Sequence, residues 1–284
     1  MDRCSPPQII TLVDAHVHIY DCFDLPIFLD SAFANFRKEA KRSGRGDSFT
    51  AVLLLAETAR ERWFHRLKAY GKMKSMAGGK TIGNWTFNYT DENCSLCACA
   101  DDSQNLYIIA GHQFNTSENL EVLALGTTQS FENGAPLERV IQTVIKSGAI
   151  PVIPWGFGKW VARRGKILRN FLEKNQFSPL FLGDNGGRPG FWPRPSYFKK
   201  AEENGLRVLP GSDPLPLTSE SSRPGSFGFS FQGTLDPRHP GMDIKKILLD
   251  PKTHLQPYGS LENPYRFAYK QLAIRLNKLK KMNR

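Results

Sequence analysis

The chain has 284 residues, 40% of them hydrophobic and 23% charged, and it carries a formal net charge of +11 at pH 7. This composition is typical of a folded globular protein and excludes a disordered or fibrous chain. No apolar run approaches the roughly 20 residues of a membrane span, and the positive charge favours an anionic partner. With five cysteines and no apolar leader, the chain is expected to be cytoplasmic with free thiols.

Runs typical of strands alternate with helical segments through the first part of the chain. The first strand is expected at about residues 9–13 and the first helix at about residues 26–41. A second strand in "FTAVLLL" precedes a helix in "TARERWFHRLKAYGKM". From about residue 80 to residue 118, short apolar runs separated by polar turns predict an antiparallel β insertion, which rejoins the main sheet around Ile108 or Val122.

The next segment carries the strongest helix signal, "LERVIQTVIKSG", whose apolar residues recur on one helical face before Gly148 ends the helix. A strand in "AIPVIPW", a basic helix near residues 164–174 and a strand in "SPLFLGD" follow. A helix that begins at Ser196 then precedes a strand in "LRVLPGSD". This β-α-β-α order predicts parallel strands covered by helices, in a doubly wound sheet or a closed barrel.

The last part of the chain, about residues 218–284, combines a segment rich in Ser, Pro and Gly with a basic amphipathic helix in "RFAYKQLAIRLNKLKKMNR". The segment is expected to be a long ordered loop or a tail segment. Docking of the helix on its own domain is the favoured interpretation, with a nucleic-acid or membrane contact as the alternative. The whole chain, residues 1–284, is expected to form one domain.

Polar residues follow almost every predicted strand. In parallel α/β folds the carboxyl ends of the strands meet at one rim, where ligands bind. The rim residues singled out here are His16, His18, Glu57, His112, Gln113, Trp155, Asn185 and Asp213.

The pair His16 and His18 is the most informative feature of this rim. In an extended strand, side chains two residues apart project to the same face, so both imidazoles can reach one ion. With Asp213 they form a two-histidine, one-carboxylate set that leaves positions open for water, and a bound divalent ion turns such a water into a nucleophile. Asp213 or Glu57 would then accept the proton. The alternative interpretations are a structural role for the histidines and a helix N-terminal carboxylate for Glu57.

The order of these motifs resembles that of the PHP domain family of metal-dependent phosphoesterases, which is similar to the amidohydrolases. The resemblance covers roughly residues 9–217 and rests on the H-x-H after the first strand, "IIAGHQFNTSENLEVLALG", "GDNGGRP" and "LPGSD". It implies a distorted seven-stranded β/α barrel of the TIM type, with up to three divalent ions at its rim. Zinc is the favoured ion, with manganese or iron as alternatives.

Several positions depart from the family's metal ligands. Glu57 replaces an aspartate in the Thr-Asp-His element, Gln113 replaces a glutamate, and Trp155 stands where a histidine is expected. The final Asp-x-His element reads Asp213-Pro214-Leu215. The sequence therefore predicts one or two ions held by His16, His18 and Asp213, with Glu57, His112 and Gln113 as further candidate ligands.

Basic residues near the rim are candidates for binding the anion. Lys159 in "PWGFGKWVARRGK" and Arg188 in "DNGGRPG" are expected to orient it, with Asn185 and Trp155 in the same substrate pocket. The leading hypothesis is a metal-dependent hydrolase of an anionic, in particular a phosphorylated, small molecule. Nucleic acid is a less favoured substrate, and the rival hypothesis is an inactive, metal-free binding or scaffold protein of the same fold.

The cysteine cluster in "NCSLCAC" offers a weaker metal signal. A structural zinc site needs four ligands, and the segment supplies Cys94, Cys97 and Cys99 without an evident fourth. Alternating strand side chains are therefore the favoured interpretation.

Overall fold

The computed structural model describes residues 9–74, 81–100, 104–174 and 178–282. The helices are α1 (Leu25–Arg42), α2 (Trp63–Lys74), α3 (Leu137–Lys146), α4 (Ala162–Glu173), α5 (Ser196–Glu203), α6 (Pro240–Leu249) and α7 (Pro264–Met282). The strands are β1 (Ile10–Val17), β2 (Phe49–Leu55), β3 (Thr86–Tyr89), β4 (Ser95–Ala100), β5 (Gln104–Ile109), β6 (Gly111–Asn115), β7 (Glu121–Leu125), β8 (Ile150–Pro154), β9 (Phe181–Asn185), β10 (Arg207–Gly211), β11 (Phe227–Gln232) and β12 (Gln256–Gly259).

The first helix shows how local sequence sets the boundaries of these elements. The Asp24 side chain accepts a hydrogen bond from the Ile27 amide at 3.0 Å, which caps the amino end of α1. Lys41 and Arg42 lie in the last turn, where their charges suit the helix dipole. Gly44 follows with φ +74°, a conformation that glycine adopts without strain.

The strands form two sheets rather than one closed barrel. One sheet has the order β12-β11-β1-β2-β5-β4-β3, and the other has the order β10-β9-β8-β7-β6. The pairs β1–β2, β2–β5, β8–β9 and β9–β10 are parallel, whereas β6–β7 and β7–β8 are antiparallel. The prediction of an α/β fold is confirmed, but the TIM-type barrel is not, since the antiparallel hairpin interrupts the parallel order that such a barrel requires.

The two sheets meet along two seams near the predicted rim. At one seam Glu57 and His112 form a single parallel bridge. At the other, the Asp213 amide donates to the His16 carbonyl at 2.8 Å. A Cβ atom on Gly211 would lie 2.4 Å from the His16 nitrogen, so only glycine allows β10 to approach β1 this closely.

A shared core fills the space between the sheets. Val13, Val52, Leu123, Val152 and Phe229 belong to one cluster of buried side chains contributed by both sheets. Because these apolar residues leave water together, the two sheets form a continuous packed unit although few hydrogen bonds join them.

Two β-rich regions differ in how well the sequence predicted them. Antiparallel strands β3, β4 and β5 lie where the insertion was expected, and Ile108 in β5 pairs with Leu53 of β2. The prediction of a loop after residue 218 was wrong at β11, which pairs with β1. There Phe227, Phe229 and Phe231 alternate with Gly and Ser, so a period of two is present within a composition typical of loops.

The described part of the chain contains no helix that combines the length and the apolar character of a membrane span. The predicted C-terminal helix is present as α7. Cys97 and Cys99 lie on β4 with their sulfur atoms 3.4 Å apart, as expected for strand side chains two residues apart.

Candidate metal centre

His16 and His18 lie at the carboxyl end of β1, and both are buried. Their Nε2 atoms are 3.1 Å apart. Asp213, two residues after β10, places Oδ1 3.6 Å from each of these nitrogens. The sequence-predicted trio is therefore a group whose ligand atoms lie within 4.8 Å of one another, and it is the one group of three or more potential ligands among the described residues.

The spacing of these atoms fits a single divalent ion. Four ligands arranged tetrahedrally at the usual 2.0–2.1 Å from zinc lie about 3.3 Å from one another. The observed separations of 3.1 Å and 3.6 Å bracket that value. Two imidazoles and one carboxylate also match the donor set of known catalytic zinc sites, which leave a further position for water.

Asp213 is held by its backbone as well as by its side chain. Its φ of +45° lies in the left-handed region, which a residue other than glycine adopts only when its surroundings enforce it. The hydrogen bond from the Asp213 amide to the His16 carbonyl supplies one constraint. Asn185 donates from Nδ2 to Asp213 Oδ2, which leaves Oδ1 directed towards the histidines. Asn185 therefore orients the carboxylate.

Gln113 is the fourth candidate ligand that lies close to the trio. Its Oε1 atom is 3.1 Å from His16 Nε2. The neighbouring His112 is not in the group, because successive side chains of β6 point to opposite faces. Burial lowers the pKa of His112.

Glu57 is also outside the group, and its contacts match the helix-terminal alternative. Its Oε1 atom accepts a hydrogen bond from the Phe64 amide, in the first turn of α2, at 2.7 Å. Burial raises the pKa of this carboxyl. Because the Glu57 carboxylate accepts this helix amide, the structure does not bring Glu57 to the predicted ion site.

Glu61 is a site residue that the sequence reasoning missed. Its Oε2 atom lies 3.5 Å from His18 Nδ1 and also accepts the Thr58 amide at 2.9 Å. A carboxylate behind a metal-binding histidine fixes the ring so that the other nitrogen faces the ion. The signal was present in "TARE", where Thr58 and Glu61 have the spacing of a helix capping box.

The surroundings move the pKa values of the two histidines in opposite directions. Burial, together with the neighbouring His18, lowers the pKa of His16 to about 4, although the Asp213 charge opposes this change. Burial also acts to lower the pKa of His18, but the contacts with Glu61 and Asp213 outweigh it and raise the pKa. At neutral pH His16 is therefore a neutral imidazole, the form that binds metal.

Asp14 serves the site through the backbone. Its buried carboxylate accepts the Ser212 amide and the Gly225 amide, each at 2.8 Å. Burial raises the pKa of Asp14 to about 6, although these hydrogen bonds act to lower it. The residue fastens the segment that carries Asp213 to β1, and it is not itself aimed at the ion site.

A cavity of 220 Å³ opens beside the trio. His18, Gln113 and Asp213 form its inner wall, with Asn185 and Trp155 beside them. The other lining residues include Tyr20, Glu121, Phe157, Lys159, Leu215, Glu220, Phe267, Lys270 and Gln271. The cavity thus contains both cationic and apolar surfaces next to the candidate ligands.

The two residues predicted to bind an anion have different environments. Lys159 lines the cavity and forms an ion pair with Glu121 of β7. Arg188 is buried and donates from Nε and one terminal nitrogen to the two oxygens of Asp184, each at 2.9 Å. Its charge is compensated by this pair and it does not line the cavity, so the structure does not place Arg188 where a substrate anion would bind.

Comparison with solved structures identifies distant matches. PsfC from Pseudomonas syringae PB-5123 matches with a TM-score of 0.54 and 14% identity, over 94% of this chain and 98% of PsfC. The lesion-specific endonuclease PfuEndoQ from Pyrococcus furiosus matches with a TM-score of 0.50 and 10% identity, over 87% of this chain and 57% of the endonuclease chain. A two-domain Bacteroides vulgatus protein containing a predicted PHP-like metal-dependent phosphoesterase matches over 88% of this chain and 64% of that one, at 11% identity. Its TM-score of 0.41 is too low to carry an argument.

No protein-family model and no curated protein matches the sequence. At 14% and 10% identity, the first two structures show a shared fold and not a shared activity. The chain therefore shares, at a distance, the fold of PsfC and PfuEndoQ, and these matches support the PHP-like fold that the order of its sequence motifs predicted.

Proposed function

We propose that the chain is a metal-dependent hydrolase that acts on an anionic small molecule, with a phosphoester as the favoured substrate. The observation that carries the proposal is the convergence of His16, His18 and Asp213 at separations that suit one ion, beside an open cavity. Zinc suits this donor set best, with manganese or iron as alternatives. When bound, the ion would supply a Lewis acid and lower the pKa of a coordinated water towards neutrality.

The donor set supports one ion, whereas the family resemblance implies up to three. His16, His18 and Asp213 are the ligands, and Gln113 supplies a neutral oxygen next to His16. Trp155 and Leu215 line the cavity at two positions where the family has histidines, and neither side chain binds metal. A second ion would lack ligands among the described residues that surround the first.

The other polar residues of the cavity would orient the substrate and move protons. Asn185 donates to Asp213 Oδ2, so the Oδ1 atom would remain available to bind the ion. Lys159 would turn from Glu121 to an entering anion, because both lie on the cavity wall. Glu121, released from its ion pair, would be the carboxylate available to accept a proton in place of Glu57.

The size of the cavity supports a small-molecule substrate over a polymer. Its volume of 220 Å³ suits a compact anion, and Phe267, Lys270 and Gln271 of α7 form one of its walls. An endonuclease is among the structural matches, and the net charge of +11 would attract nucleic acid. Nucleic acid is therefore the second substrate class to test.

The decisive experiment is elemental analysis of divalent metal in the purified full chain and in the His16→Ala/His18→Ala variant. We expect about one ion per chain in the first and none in the second. The matched control is His65→Ala/His254→Ala, which removes two exposed histidines and should keep the metal. Phosphomonoesters, cyclic amides and single-stranded and duplex DNA would then be screened for hydrolysis.

Failure to bind zinc, manganese or iron after incubation with each of them would contradict the proposal. The chain would then be a metal-free binding or scaffold protein of PHP-like fold. Equal metal loss in the His65→Ala/His254→Ala control would instead place the ion elsewhere.

A further inference from the structure

A second cavity lies beside the candidate metal centre. It has a volume of 400 Å³ and shares Trp155 and Gly156 with the metal cavity. The rest of its lining is mostly aromatic or proline: Gly158, Trp160, Val161, Trp192, Pro193, Arg194, Pro195, Ser196 and Tyr197. The two cavities are thus neighbours with a common wall and very different surfaces.

Three rings cross from one cavity to the other, and we call Phe157, Trp192 and Phe267 the aromatic shelf. The Phe157 ring meets Trp192 edge to face with ring centres 5.9 Å apart, and it meets Phe267 in the same way at 5.1 Å. Phe157 and Phe267 line the metal cavity, while Trp192 lines the second one. The shelf therefore runs from the candidate ion site to the neighbouring cavity.

Two of the three shelf rings are exposed to solvent although they are large. Phe157 is 44% exposed and Trp192 is 37% exposed, and Phe191 next to them is 63% exposed. Leaving such rings in water forgoes the free energy that their burial would supply. Contiguous exposed apolar surface at the mouth of a cavity is typical of a ligand-binding site.

Hydrogen bonds and ion pairs fix the segments that carry these rings. Arg188, fixed by Asp184, donates a hydrogen bond to the Trp192 carbonyl at 3.3 Å. The Trp192 amide donates to the Pro189 carbonyl at 2.9 Å. Phe267 is fixed because the next turn of α7 carries Lys270, which pairs with Glu220 and Glu262. A surface held this rigidly loses little conformational entropy when a ligand binds.

Charge separates the two cavities. Lys159, Lys270, Glu121 and Glu220 line the metal cavity. In the second cavity the one charged lining residue is Arg194, and its guanidinium donates to both oxygens of Glu202, at 2.7 Å and 2.6 Å. A ligand that occupied both cavities would therefore place a polar group beside the ion site at one end and an uncharged, apolar group at the other.

We propose that the aromatic shelf binds the planar ring of an aryl or heteroaryl phosphoester whose anionic group faces the ion site. The proposal rests on the proposed function for the anionic end only. A planar ring can stack on or meet the shelf rings edge to face, whereas a puckered saturated ring of the same size cannot present a π face. The shelf thus selects among anions by the shape of the attached ring.

The test compares phenylphosphonate with cyclohexylphosphonate, because neither can be hydrolysed as a phosphoester and only the ring differs. Binding to the full chain would be measured by titration calorimetry, with zinc and with the metal removed. We expect phenylphosphonate to bind about tenfold more tightly. Trp192→Ala should remove that preference, so that the two phosphonates bind the variant with similar affinity.

Two further variants separate the ring effect from a folding defect. Phe157→Leu keeps an apolar side chain and removes the π face, so it should also reduce the preference. Tyr265→Ala removes a ring of α7 that is 86% exposed and does not line either cavity, so it should leave the preference intact.

Equal affinity for the two phosphonates, or no binding of either, would overturn the shelf. Its failure is distinct from that of the proposed function. If the chain binds metal and hydrolyses phosphoesters but binds the two phosphonates equally, the proposed function is confirmed and the proposed role of the shelf is wrong. If the chain binds no metal but still prefers phenylphosphonate, and this preference depends on Trp192, the proposed function is wrong and the proposed role of the shelf is confirmed.

Discussion

Two buried polar groups border the same cavity, and they differ in whether their members satisfy one another. Lys270 pairs with Glu220 at 2.7 Å and also with Glu262, which in turn accepts Arg223 at 2.5 Å. His16 and His18 instead direct their Nε2 atoms at each other, with Asp213 3.6 Å away, beyond hydrogen-bond length. Buried polar groups nearly always have partners within the protein or its ligands.

A structural polar cluster differs from a ligand site in how its members pair with one another. The charges of the Lys270 cluster balance, and every close contact joins opposite signs, so the cluster needs nothing further. In the histidine cluster every member is a potential metal ligand and all three converge on one point, which is what an ion-binding site requires. Burial and polarity alone are equal in the two clusters and therefore do not separate them.

Breaking the Lys270 cluster should have the largest effect on stability. Lys270→Met leaves Glu220 and Glu262 with one fewer cation in a buried setting, and we expect a loss of about 3–5 kcal/mol in the free energy of unfolding. Urea denaturation measures it. Lys246→Met, which removes an exposed ion pair with Asp243, is the matched control and should cost less than about 1 kcal/mol. Similar losses in both variants would contradict the structural role assigned to the Lys270 cluster.

Acid should destabilise the metal-free chain through His16. Its folded-state pKa of about 4 lies below the ordinary 6.5, so the unfolded chain binds more protons in that range and stability falls as the pH drops from 6.5 to 4. A shift of this size corresponds to about 3 kcal/mol. Asp14, whose pKa is raised from 3.8 to about 6, acts in the opposite direction between those two values.

The measurement is urea denaturation of the chelator-treated chain at several pH values between 4 and 6.5. His16→Gln should remove the contribution of the imidazole and leave that of Asp14, so the variant should lose less stability, or gain some, as the pH falls. An unchanged pH profile in His16→Gln would show that His16 titrates normally in the folded chain.

Zinc should stabilise the chain only when the histidine cluster is intact. At a free zinc concentration about 100 times the dissociation constant, binding adds about 2.7 kcal/mol to the free energy of unfolding. Thermal unfolding should therefore shift upward with zinc in the unchanged chain and in Lys246→Met, but not in His16→Ala/His18→Ala. A zinc shift that persists in the histidine variant would point to other ligands.

The smallest effect is expected from a change in Glu61, the carboxylate that contacts His18 on the side away from the proposed ion. Glu61→Gln keeps the size of the side chain but removes the charge that orients the imidazole. We expect zinc affinity to fall about 10–100-fold, as for other carboxylates behind metal-binding histidines. Competition with a chromophoric chelator measures it. Glu118→Gln is the control. It alters a carboxylate that accepts the Leu137 amide at the start of α3, and it should leave zinc affinity unchanged.

The sequence was sufficient for the convergence of His16, His18 and Asp213 because strand periodicity and the common rim of parallel strands are strong constraints. It was insufficient where a polar side chain had a local partner. The Glu57 carboxylate accepts an amide in the first turn of α2, and Arg188 forms an ion pair with Asp184. A single sequence does not say whether a rim residue faces the cavity or a nearby backbone amide.

The same limit applies to the fold. The α/β class followed from alternating periods, but barrel closure depends on whether adjacent strands form a hydrogen-bonded ladder, and β1 approaches β10 mainly through Gly211 and Asp213. β11 was missed because glycine and serine lie between its phenylalanines. Lys270 belongs to the predicted basic amphipathic helix, yet its side chain is buried.

The close approach of β10 to β1 has a consequence for how the chain matures. During synthesis both histidines emerge long before Asp213, by roughly 10–40 s at usual elongation rates of about 5–20 residues per second. Until β10 has docked, the emerging chain carries a two-imidazole chelate without its carboxylate. An ion captured then would be held weakly and would exchange with whatever metals are abundant. Selection of the ion by the proposed site would therefore be a late event, which follows the docking of β10 and the close approach of Gly211 to His16.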